Sequence, residues 1–162
     1  RLEESRGWFE RAAGAGGSLS TAERAADQIN LGATAARSGR LAEAEHAFND
    51  ARRLAESSGA ADLLWPSLLG LGDVAQRRGA MSQALDYDRS AASLIDTLRT
   101  RQREARVAIA FFSRRLFAYE ALIHLLGQMD VAQPDSGFGA EAFAWAERAR
   151  ARSLLDLVGT AS

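Results

Sequence analysis

A period of 40 residues constrains this chain more than any other feature of it. Shifting the sequence by that amount lays Leu31-Gly32 on Leu71-Gly72, Ala35 on Ala75, Arg37 on Arg77, Gly39 on Gly79, Ala44 on Ala84 and Ala51 on Ala91. A repeat of this length is one supersecondary unit that cannot bury its own apolar surface, so successive copies must stack on one another. Each unit reads as two helices. The leading one carries the Leu-Gly pair and closes at Gly39 or Gly79, where glycine can take the left-handed conformation that ends a helix. The trailing one begins at Leu41 or Met81. Its apolar residues recur at steps of three and four, as Leu41, Ala44, Phe48, Ala51 and Ala55 in the first copy and Ala84, Tyr87, Ala91, Leu94 and Leu98 in the second. That spacing marks one buried helical face, and Glu43, Glu45, Asn49, Asp50, Arg89 and Asp96 fall on the solvated side. Gly32 is expected to face Ala44 and Ala51, so that only small side chains stand where the helices approach.

The rest of the chain fits the same scheme. Ser20 followed by Glu23 is a capping-box pattern that starts the first leading helix. Residues 14–19 read as a linker, and residues 1–13, with Trp8 and Phe9, as the trailing helix of a preceding repeat. The two recognised repeats span residues 20–58 and 60–101; residues 103–159 form a longer, atypical third with a loop at 130–139. Pro66 is expected in or near the first turn of its helix, with Asp62 or a neighbour as the cap. Thr97 to Arg106 is polar all round, which places a helix break near Thr100 to Arg103. Beyond it Ile109, Phe112, Leu116, Tyr119, Ile123 and Leu126 line one face, and Phe111, Ala118, Leu122 and Leu125 another, as in a helix packed on two sides. A final helix is expected from about Ala140 to Val158. Leu31, Gly32, Ala44, Ala51, Leu71, Gly72, Ala84 and Ala91 are the repeat-packing positions. The fold class is all-α, with tandem hairpins stacked as a short right-handed solenoid.

Composition narrows the function. Of 162 residues 47 % are hydrophobic, enough for a core, while aromatics make up only 7 %, so helices must meet through small side chains. The formal net charge of −1 carries no long block of one sign, which argues against nucleic acid or a membrane surface as partner. There is no cysteine, hence no disulfide, thiolate metal site or cysteine nucleophile in these residues. No stretch approaches the ~20 apolar residues of a membrane-spanning helix. A cytoplasmic location is expected. The chain starts at Arg1 rather than methionine and reads as part of something longer.

No constellation points to catalysis. His46 and His124 stand apart from any cluster of acids at metal-ligand spacing, so no metal site is expected. Gly14, Gly16 and Gly17 lack the lysine and the preceding strand of a phosphate loop. Glu43 and Glu45, two apart on a helix, do not face each other as an acid and base pair would. The densest basic patch is Arg99, Arg101, Arg103 and Arg106 with Arg114 and Arg115; Arg148, Arg150 and Arg152 suit a helix C-terminus. Neither enzyme nor cofactor is expected.

The pattern Leu31-Gly32, Ala35, Gly39, Ala44, Phe48 and Ala51 resembles the tetratricopeptide repeat (TPR), with a period longer than that family's usual ~34 residues. From about Ala22 to Val158 the chain also resembles the helical repeats that precede CHAT domains, the caspase- and separase-like modules of bacterial proteins. The most specific part is Ala146-Glu147-Arg148-Ala149-Arg150-Ala151-Arg152-Ser153-Leu154-Leu155-Asp156-Leu157. The resemblance implies a scaffold that binds a protein or peptide and positions or regulates a peptidase-like domain beyond Ser162. It implies a groove lined by leading helices, which nominates Arg37, Asp73, Gln76, Arg77 and Phe117 as partner contacts. Repeats that grip a chaperone's C-terminal carboxylate carry asparagine directly after the Leu-Gly pair; Ala33 and Asp73 stand there instead, which disfavours that ligand. The alternative reading is the helical regulatory segment of a multidomain bacterial transcription regulator.

Overall fold

The computed structural model describes residues 20–102 and 109–159, with side chains for 20–98 and 116–151. The described residues form six helices and no strand: α1 (Thr21–Arg37), α2 (Leu41–Ser58), α3 (Ala61–Arg77), α4 (Met81–Gln102), α5 (Ile109–Ala132) and α6 (Phe138–Gly159). They pair as three hairpins, α1 with α2, α3 with α4 and α5 with α6. Each hairpin packs on the next through α2 against α3 and α4 against α5, and the leading helices α1 and α3 also touch directly. The result is an all-α stack of helical hairpins. The expected segment at 1–13, the linker at 14–19 and the six arginines of the basic patch lie outside the residues whose side chains are described.

Local chemistry sets the helix ends. Ser20 caps α1 reciprocally: its Oγ accepts from the Glu23 amide at 3.2 Å, and its own amide donates to Glu23 Oε2 at 2.8 Å. Holding that amide keeps the Glu23 carboxyl below its ordinary range. One turn then recurs three times, at Gly39, Gly59 and Gly79, all with φ between +67° and +76°. At each, the residue after the glycine donates back into the helix: Arg40 to the Ala35 carbonyl, Ala60 to Ala55 and Ala80 to Ala75, all at 2.9 Å. Glycine adopts this conformation without a steric penalty, and the paired bonds satisfy carbonyls the helix end would leave open. The punctuation therefore repeats every 20 residues from Gly39 to Gly79, closing α1, α2 and α3, at twice the frequency of the longer repeat.

Several boundaries differ from the sequence reading. Pro66 sits inside α3, whose first residue is Ala61, and the N-cap Ala60 makes no side-chain hydrogen bond. The missing amide of Pro66 thus falls past the first turn, because the turn at Gly59 already starts the helix. The loop expected at 130–139 is shorter, since α5 runs to Ala132 and α6 begins at Phe138. Asp130 holds it closed by accepting the Gly139 amide on Oδ1 at 2.8 Å, which supplies an acceptor to the open N-terminus of α6. Arg148 and Arg150 are not at a helix end, because α6 continues to Gly159. Arg148 lies over the Trp145 ring at 4.7 Å, and Arg150 pairs with Glu147.

Among the described residues, buried side chains form two clusters. The first joins Ala35, Ala36, Ala44 and Phe48 of hairpin 1 to Leu71 and Val74 of α3. The second runs from Trp65 and Ala75 through Ala84, Leu85, Ala91, Ala92 and Ile95 to Leu122, Leu125, Leu126 and Met129, and ends at Trp145. The contact at Gly32 is not the one expected. A Cβ there would stand 2.8 Å from the Phe48 ring, and one at Gly70 would also run into that ring. The two glycines therefore make room for a phenyl ring between α1 and α3, and a fully buried ring of this kind stabilises by about 1.5–3 kcal/mol. Leu31, counted among the packing positions, is 58 % exposed whereas Leu71 is 3 % exposed. Leu71 faces hairpin 1; Leu31 occupies the same place on α1, and no described element covers it. Leu116, expected inside, is also exposed.

Candidate functional site

The leading-helix face is organised by α3. Arg77 reaches in two directions: its Nε donates to Asp73 Oδ1 at 3.0 Å, and one terminal nitrogen donates to the Ala36 carbonyl of α1 at 2.9 Å. The second bond adds a cationic donor to the last turn of α1, where the dipole is negative and the Ala36 carbonyl also accepts the Gly39 amide at 3.0 Å. Gln76 points the other way and donates through Nε2 to Gln128 Oε1 of α5 at 2.8 Å. Gln128 in turn lies 2.9 Å from His124 Nε2 through its own amide nitrogen. One turn of α3 thus bonds to both neighbouring leading helices, which places Asp73, Gln76 and Arg77 together on the face those helices share.

Arg37 lies beside this group, exposed at the end of α1, with Thr34 Oγ1 at 3.5 Å. Phe117 does not. The Gln76–Gln128 bond sets α3 and α5 in register, and Phe117 is eleven residues before Gln128, about 16 Å away at 1.5 Å per residue. It is 63 % exposed, a large apolar side chain at the far end of the same face. The five sequence-nominated residues therefore divide into a polar group of four and a separate aromatic.

Beneath the polar group lies a residue the sequence reading passed over. Asp88 of α4 is 5 % exposed, and its Oδ1 occupies the space a side chain at Gly72 would need. Burial pushes its carboxyl up to about 7, and the nearby Asp73 charge adds to the shift. Periodicity had assigned this face to Tyr87, which is only partly buried. The available signal was the repeat itself, since Asp88 stands 40 residues after Phe48.

Two further polar contacts form where helical spacing predicts a solvated side for Arg89 and Asp96. Arg89 donates to both carboxylate oxygens of Glu141, with Nε to Oε1 at 2.8 Å, and so ties α4 to α6. The hydrogen bond from Arg89 holds Glu141 below its ordinary range. Tyr119 donates its hydroxyl to Asp96, joining α5 to α4. His46 lies 3.4 Å from Asp50 at the surface. Among the described residues no three His, Cys, Asp or Glu side chains are grouped as metal ligands would be, and no helix is long and apolar enough to cross a membrane. An open depression of about 670 Å³ on the outer side of hairpin 1, bordered by Arg24, Leu31, Asp50, Arg53 and Leu54, contains no such group either.

The architecture is that of a TPR-like solenoid. The TPR domain of Arabidopsis FLU superposes on 83 % of this chain and 98 % of its own length, with a TM-score of 0.59 at 20 % sequence identity. At that identity the likeness is one of fold. No protein-family model matches the sequence, and no curated protein matches it.

Proposed function

We propose that the chain is a protein-interaction module that binds a segment of a partner protein along the face formed by α1, α3 and α5, without catalysing a reaction. The observation that carries this reading is the combination on one face of a fixed polar group, Asp73, Gln76 and Arg77, with the exposed ring of Phe117. Side chains already held by neighbours lose little freedom when a ligand arrives, and a protruding aromatic supplies apolar contact area. Stacked hairpins leave a continuous surface for such a segment.

In its finer form the reading makes this array the partner-sensing part of a protein with a CHAT peptidase-like domain. That step is supported by the resemblance of the α6 sequence and of the repeats before it. Co-purification of the intact protein's partners tests the broader statement. Reversing Arg37 and Arg77 to glutamate, or replacing Phe117 by serine, should abolish capture while leaving the helical circular dichroism unchanged. Retained capture by both variants would remove this face from consideration.

A further inference from the structure

The two copies of the repeat diverge at one buried position, and the divergence changes the chemistry of the joint between hairpins. Phe48 fills the seam between α1 and α3, its ring against Gly32 on one side and Gly70 on the other. Asp88 occupies the corresponding place in hairpin 2, with its carboxyl against Gly72, the counterpart of Gly32. Register places it relative to α5. The Tyr119–Asp96 hydrogen bond aligns antiparallel α4 and α5, so Asp88, eight residues before Asp96, lies level with the stretch eight residues past Tyr119. That stretch is Gly127-Gln128, and Gln128 is the residue that bonds to Gln76 of α3. Asp88 therefore sits at the floor of the seam between α3 and α5, under the Gln76–Gln128 bridge.

An acid in such a place needs a counterpart. No hydrogen-bond donor reaches the Asp88 carboxyl among the described residues. The charged group nearest it on α3 is Asp73, which repels its ionised form. Arg77 neutralises Asp73 in part but directs its free end to α1, away from this seam. On α5 the polar groups at this level, His124 and Gln128, bond to each other. Among the described residues the fully enclosed side-chain atoms without a partner are Arg52 Nε and Trp65 Nε1; the Asp88 oxygens are not among them, which leaves the carboxyl some contact with solvent. A buried carboxylate without a partner is costly, and a cation offering several N–H donors removes that cost.

We infer that the seam between α3 and α5 is a receptor for a cationic side chain, arginine or lysine, of the bound partner segment, with Asp88 at its floor and Asp73 at its rim. The inference rests on the interaction reading above and names the chemistry its ligand must carry. Arginine suits the site best: its long apolar stem passes the Gln76–Gln128 bridge, and its planar head donates to two carboxylates at once.

A displayed library of short random peptides, selected at pH 8 against the full chain, provides the test. Binders should share a basic residue at a fixed position. Replacing that arginine by citrulline, which keeps the shape and removes the charge, should weaken binding about tenfold or more to the parent chain and under about twofold to the Asp88→Asn chain. Asp73→Asn, at an exposed rim position, completes the same cycle with a smaller loss if Asp88→Asn fails to fold. Binders with no basic preference, or an equal citrulline loss in the variants, would overturn the receptor and leave the interaction reading standing. Failure to select any binder that competes for the α1, α3 and α5 face would overturn both.

Discussion

Gly32 and Gly70 are glycine because a phenyl ring stands where their side chains would be, and this can be tested by volume alone. Gly70→Ala should destabilise the chain by about 1–2 kcal/mol, because overpacking against Phe48 outweighs the better helix propensity of alanine. Trimming the ring with Phe48→Leu in the same chain should recover most of that loss. Gly127 is the contrast. No atom would meet a Cβ there, so Gly127→Ala should raise stability by up to about 1 kcal/mol in chemical denaturation. Asp88 makes a different prediction, with a definite sign. The unfolded chain releases this proton near the ordinary 3.8, whereas the folded chain keeps it to about 7. Between those values the folded state holds the extra proton, so stability should fall as pH rises across that window and level off above it. Urea midpoints measured at pH 5 and pH 8 should show the decline, and Asp88→Asn should remove it. The variant is needed because the charged side chains of Asp73 and Arg77 on α3 and the imidazole of His124 on α5 also stand near this position.

At the scale of elements, the hairpins are tied by polar contacts that no periodicity announces. The bidentate pair of Arg89 and Glu141 joins α4 to α6, yet both side chains are about one-third exposed, so its strength should be modest. A double-mutant cycle should give a coupling below about 1 kcal/mol, smaller still at high salt. The helices themselves were legible because their signals are local: the Ser20 and Glu23 box, the glycines at 39 and 79, and the three-four spacing of Ala44, Phe48 and Ala51. Where two signals competed, the reading failed. Pro66 is expected in or near the first turn with Asp62 or a neighbour as cap, and it stands just past that turn because the turn at Gly59 starts the helix at Ala61 with Ala60 as its N-cap. Tyr87 was preferred to Asp88 on the buried face because a charged residue carries no apolar signal. The partners of Arg89, Asp96 and Gln76 belong to helices distant in sequence, and spacing along one helix says nothing about them. Asp73, Gln76 and Arg77 are nominated by the resemblance, which implies a groove lined by leading helices, and they share about one turn of α3; the distance of Phe117 from them follows from the bond between Gln76 and Gln128.

At the scale of the molecule, the buried side chains among the described residues form two clusters, one around Phe48 and one from Trp65 to Trp145, with α3 contributing to both. In such an array stability passes between neighbours rather than through a shared centre. Phe48→Ala should therefore cost about 3–5 kcal/mol locally, with faster amide exchange in α1, α2 and α3 and a much smaller change in α5 and α6. Equal acceleration in all six helices would show instead a single cooperative unit. Phe48 and Asp88 also give the two joints unlike sensitivities. One, filled by hydrocarbon, answers to cooling and to apolar co-solvents; the other, floored by an acid, answers to proton concentration and to cations. The 40-residue period thus joins unlike seams, so that a chemical stimulus can act on the Asp88 joint while the Phe48 joint holds its shape.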